Sequence, residues 1–196
     1  MGQNRVISMI ACICAGLVWG CVNQRDHRCV PLPELPSISS PRLARVGPIE
    51  LDLGDTDGWD VYIGYGHAKL DSGHYKGRQI HVEVDTFRMP GYSDRAAMDT
   101  IRVDWERRMA TITNLTYSKS EMYCGEDGDR ISLIEYGIDS DRQKEYQQVI
   151  EAHRFLDGLG IQISSGSTIP RQIGAVPLDM RQRILTWMSA IRSIEK

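Results

Sequence analysis

Ile80, Val82 and Val84 alternate with His81, Glu83 and Asp85. Successive side chains of a strand point to opposite faces, so this run requires a sheet with one apolar and one wet face. The same two-residue period recurs at Ile49, Leu51 and Leu53, and again at Trp59, Val61, Ile63 and Tyr65 across a Gly- and Asp-rich turn. Leu115 to Cys124 and Arg130 to Gly137 flank Gly125-Glu126-Asp127-Gly128-Asp129, the composition of a hairpin turn. Tyr146 to Leu156 and Gly160 to Ser164 predict a second hairpin around Asp157-Gly158, although the Gln- and Glu-rich start at Lys144 also suits a helix.

The period changes twice. After Pro90-Gly91, Ser93 is placed to cap a helix reaching Thr111, whose inner stripe is Ala97, Ile101, Trp105, Met109 and Ile112. Pro177 opens a last helix to Ile194, with Met180, Ile184, Trp187, Met188, Ile191 and Ile194 facing inward. Strands in series with helices interposed predict an α+β fold. The expected form is a single antiparallel sheet with two main helices packed on one face, preceded by a signal peptide and a Pro-rich tether.

The start of the chain reads as an address. Arg5 supplies a positive charge, Val6 to Val18 carry none, and the chain turns polar at Asn23. Leu17-Val18-Trp19-Gly20-Cys21 resembles the lipobox of bacterial lipoproteins, in which the cysteine thiol receives a diacylglycerol; Trp19 departs from the small or β-branched residue usual there. The alternatives are an ordinary cleaved signal and an uncleaved anchor helix. The expected organisation is a signal peptide over 1–20, acylated Cys21 and a tether over 21–47, and a globular domain over 48–196. Pro31, Pro33, Pro36 and Pro41 define the tether, since proline withholds ladder donors and resists helix. Val22 is not the Asp of inner-membrane retention, so by analogy the lipid anchor belongs in the outer membrane, facing the periplasm.

Cysteine usage agrees with export. Of the 5 cysteines, if Cys12 and Cys14 leave with the signal and Cys21 is acylated, Cys29 and Cys124 remain. In an oxidising compartment these two form a disulfide or stay as two inert thiols. The net charge of -3 on 196 residues gives no basic surplus for nucleic acid.

Chemistry is harder to find. The chain has no GxSxG, no phosphate loop and no dinucleotide fingerprint, and no catalytic residue or cofactor is expected. Asp52 to Asp60 resembles a calcium loop, but Leu53 and Gly64 stand where an acid and a bidentate Glu are needed. His81, Glu83 and Asp85 share one strand face, yet alternate positions lie roughly 6.6 Å apart, too widely splayed for one small ion. His67, His74 and His81 follow no useful period. No metal site is therefore expected. Two acidic turns remain, Asp55/Asp57/Asp60 and Glu126/Asp127/Asp129, as candidate docking points for a basic partner, against the simpler reading of solvated turns.

With this order assembled, the chain resembles the immunity lipoproteins that accompany lipase toxins of type VI secretion systems. The resemblance rests on the lipoprotein signal, the strand 77–87 followed by the helix 93–111, the strand 130–137, the segment Glu151 to Gly160, and the closing helix ending Ile191-Arg192-Ser193-Ile194. Family members often carry two related domains, and this chain has room for one. The resemblance implies a periplasmic protein, not an enzyme, that binds a secreted phospholipase effector and occludes its active site. The alternative is a structural or assembly lipoprotein of the cell envelope.

Overall fold

The computed structural model describes residues 29–35, 42–54, 56, 59–71, 80–125, 128–140, 145–170 and 178–194. The signal segment, Cys21, His74, Pro177 and the acids Asp55, Asp57, Glu126 and Asp127 lie outside them. Among the described residues no helix is long and apolar enough to cross a membrane.

The chain runs β1 (Val30–Pro31), β2 (Leu43–Val46), β3 (Ile49–Asp52), β4 (Asp60–Gly64), β5 (His67–Asp71) and β6 (Ile80–Arg88), then α1 (Asp94–Met109). There follow β7 (Leu115–Cys124), β8 (Arg130–Ser140), β9 (Glu145–Leu156), β10 (Leu159–Pro170), α2 (Leu178–Ala190) and β11 (Arg192–Ser193). The fold is α+β, but the single antiparallel sheet is corrected to two. An 8-stranded sheet runs β1-β7-β8-β9-β10-β6-β5-β4, and a 3-stranded sheet runs β11-β3-β2. Nor is the large sheet wholly antiparallel, because β1 joins β7 in parallel.

The helices lie on opposite faces, which corrects the expectation of one covered face. On one face Ala97 and Met98 of α1 pack on Phe155, and Trp105 and Met109 pack on Ile134. On the other, Met180, Ile184, Trp187 and Met188 of α2 join Leu133, Ile150, Ile161 and Val84, with Val46, Ile49 and Leu51 of the small sheet completing the core. The sequence conceals this because polar residues are buried among apolar ones. Ile131 to Ile134 and Glu151 to Phe155 are buried at every position, so both faces of β8 and β9 are covered.

Residues 43–46, within the span expected as tether, pair with β3, and Val46 is fully buried. Leu32 and Leu35 also pack against the core. The folded body therefore draws on chain before residue 48.

Local signals are well placed. Ser93 caps α1, its hydroxyl accepting from Ala96 N at 3.3 Å. Asp157 (φ 52°) and Gly158 (φ 79°) turn β9 into β10 with two successive left-handed residues, as a tight hairpin requires. Gly158 N donates to Asp94 Oδ1 at 3.0 Å, fastening that hairpin to the first turn of α1. The last helix stops at Ala190 rather than Ile194, and Ile194 is exposed while Ile191 is buried. Arg192 and Ser193 instead pair with Glu50 and Ile49. Buried Arg154 holds this end, donating to the carbonyls of Met188 (2.7 Å), Ser189 (3.2 Å) and Ile191 (3.4 Å).

Candidate functional site

Cys29 and Cys124 are within disulfide distance, with Cα atoms 5.6 Å apart, where β1 lies beside β7. The bond joins the segment after the expected lipidation point to the edge of the large sheet.

Asp60 and Asp129, the described acids of the two turns, do not share one patch. Asp60 opens edge strand β4, whereas Asp129 precedes β8, five strand spacings or about 24 Å across the sheet. Asp60 is exposed, and along the same strand and its turn Tyr62, Ile63 and Tyr65 are exposed too. The inward stripe expected at Ile63 and Tyr65 is thus turned to solvent, as an edge strand permits. Asp129 is engaged by Arg154 Nη2 and so belongs to the clamp on α2.

The wet face of β6 is as expected. His67 Nδ1 lies 2.6 Å from Asp85 Oδ1, Lys69 Nζ 2.8 Å from Glu83 Oε1, and His81 contacts Asp71. Each pair joins direct cross-strand partners of β5 and β6, so β5, whose alternation is too short to stand out in sequence, is located by its charges. Among the described residues no cluster of His, Cys, Asp or Glu is arranged to hold a metal.

The most site-like feature was not singled out in the sequence. Beside α1, a groove of about 530 Å³ runs between the helix and the sheet. Ile101, Asp104 and Arg108 line it from one flank of the helix, at the three- and four-residue steps that share a face. Opposite them stand Phe87 of β6, Gln162 of β10 and His153 of β9. Register explains the placement: Ser132, His153, Gln162 and Asp85 are direct cross-strand neighbours in one row.

Phe87 holds its place because Gly160 has no side chain. A Cβ there would come within 2.5 Å of the Phe87 ring, which stands edge-on to Phe155 with centroids 5.7 Å apart. At the floor, His153 is 3% exposed. Burial first, then the positive charge of Arg108, pushes its imidazole from 6.5 down to about 4, while a hydrogen bond with Gln162 opposes the shift. The ring is therefore neutral at physiological pH. His153 Nδ1 and Ser132 Oγ, on paired residues, are both buried without a hydrogen-bond partner. Close by, Tyr136 donates to Glu151 Oε1 at 3.0 Å; burial, followed by that carboxylate, raises the phenol above its ordinary range.

The arrangement offers cation, neutral imidazole, amide and apolar wall in one concave place, which suits binding of a polar-headed group. Sequence reasoning missed it because Arg108, His153, Gln162 and Phe87 share no motif and come from four elements.

Fold and site together define an α+β protein with a large mixed sheet between a helix on one face and a helix plus small sheet on the other. No protein-family model matches the chain, and no curated protein does. Among solved structures it is similar to the Saccharomyces cerevisiae Ran-binding protein Mog1p, with 10% identity and a TM-score of 0.49 over 80% of this chain and 97% of that one. A crystal structure from Bacteroides thetaiotaomicron VPI-5482 gives 8% identity and a TM-score of 0.48 over 76% of this chain. This chain spans 46% of that protein's length. Protein PA94 of unknown function from Pseudomonas aeruginosa gives 10% identity and a TM-score of 0.41 over 76% of this chain and 92% of that one.

Proposed function

We propose that this chain is a lipid-anchored immunity protein of the bacterial periplasm, which binds a lipase-type toxin of a type VI secretion system and occludes its active site. The observation that carries the reading is the Cys29–Cys124 pair, a bond suited to an oxidising compartment, with Cys29 shortly after the expected export signal over 1–20. The resemblance to immunity lipoproteins supplies the partner. The exposed Tyr62 and Tyr65 give edge strand β4 and its turn the aromatic character enriched at protein interfaces, and the exposed Asp60 beside them suits a basic partner. Of the two described acids, Asp60 is exposed to meet a basic partner, whereas Asp129 is engaged by Arg154.

The test has two arms. Radiolabelled palmitate should enter the wild-type protein and not Cys21→Ser, which should also leave the membrane fraction. The protein should co-purify with a lipase encoded beside it, and Asp60→Lys should speed dissociation. Absence of a complex at micromolar concentration would overturn the inhibitor reading. A growth defect on deletion, with no attacking cell present, would favour the envelope-assembly alternative.

A further inference from the structure

We propose that the groove beside α1 is a binding site for a small organic acid, its carboxylate on the Arg108 guanidinium and its apolar body along Phe87 and Ile101. This does not depend on the toxin reading, since it concerns a ligand rather than a protein partner.

Charge is the first argument. Arg102 pairs with Glu106, Arg107 with Asp104, Arg154 with Asp129, and Arg181 with Glu121 and Glu135. Arg108 has no carboxylate partner among the described residues, yet it stands at a concave site and its charge is felt by the buried imidazole. A planar carboxylate matches the fork of one guanidinium.

Shape is the second. The volume of about 530 Å³ lies within the range of small-molecule sites, roughly 300–1,000 Å³. Ile101 and Arg108 are two helical turns apart, about 10 Å along the axis, which sets the distance between apolar body and charged head. An aryl or short-chain acid has that length. Arg107 also lines the groove but is paired with Asp104, so a phosphate dianion, which wants more donors than a carboxylate, finds one free guanidinium and one amide.

The floor is the third. His153 is neutral, so it neither competes with Arg108 for the anion nor repels the apolar body. Gln162 presents an amide there, and Gly160 keeps the Phe87 ring upright as a wall.

The probe is 3-phenylpropionate, titrated into the purified full chain and followed by calorimetry and by amide shifts of α1. Saturable binding is expected, weakened about tenfold or more for Arg108→Gln, for the neutral amide of the same acid, and for propionate. Arg108 is exposed at the surface, and far-ultraviolet dichroism verifies that its variant is folded. Equal binding of the amide would remove the role of the cation, and equal binding of propionate would remove the apolar wall. Either result, or no saturable binding, overturns the proposal. The ligand comparison needs no variant, so a poorly folded Arg108→Gln would not obscure the outcome.

Discussion

His153 should make this protein lose stability as the pH falls below neutrality, by an amount the structure sets. Its imidazole titrates at the ordinary 6.5 in the unfolded chain and at about 4 when buried beneath α1. Between those values the unfolded chain binds the proton and the folded one does not, so acid favours unfolding. One pKa unit corresponds to about 1.4 kcal/mol, which gives about 2 kcal/mol lost by pH 5 and about 3 kcal/mol by pH 4. The loss levels off below the folded value. Urea unfolding followed by tryptophan fluorescence at pH 7.5, 6, 5 and 4 measures it, with His153→Gln as reference because Gln does not titrate. Carboxylates contribute to both proteins, so the difference between them isolates the imidazole. Parallel stability curves for the two would refute the reasoning, and would mean that the buried ring accepts its proton without cost.

Three further outcomes follow from particular contacts. Arg154→Ala should cost about 3 kcal/mol or more, since it frees the Met188 and Ile191 carbonyls together with Asp129, whereas Asp129→Asn, with a half-exposed carboxylate, should cost roughly 1–2 kcal/mol; denaturant titrations of the two singles and the double should be non-additive. Gly160→Ala should cost about 1–3 kcal/mol by driving the Phe87 ring away from Phe155, visible as a lower melting temperature and altered aromatic shifts. Removing the Cys29–Cys124 bond by Cys124→Ser, or by reduction, should destabilise by about 4–5 kcal/mol, because the bond closes a loop with a sequence separation of 95. A reduced protein as stable as the oxidised one would contradict this.

Much of the local structure is written in short stretches. Ser93 before an apolar stripe sets the start of α1, and Asp157-Gly158 sets the turn between β9 and β10, because each depends on groups within a few residues. The alternation at Ile80 to Asp85 names a wet face, and that face carries the His67–Asp85 and Lys69–Glu83 pairs. The candidate docking acids were less legible. Asp129 has the composition of a free turn residue, and only the approach of Arg154, from the next strand but with its head beneath α2, makes it structural.

The sequence by itself determined the longer strands and where the two helices lie, and it singled out Cys29 and Cys124 as the pair. Period, caps and turn residues act over one or two turns of chain, so they need no knowledge of the fold. The tertiary structure decided which face each helix covers, that Leu43 to Val46 and Arg192 to Ser193 build a second sheet around β3, and that Arg108, His153, Gln162 and Phe87 meet in one groove. Those outcomes depend on burial shared between residues far apart in the chain. A polar side chain such as His153 or Arg154 looks solvent-bound until the element that covers it is in place.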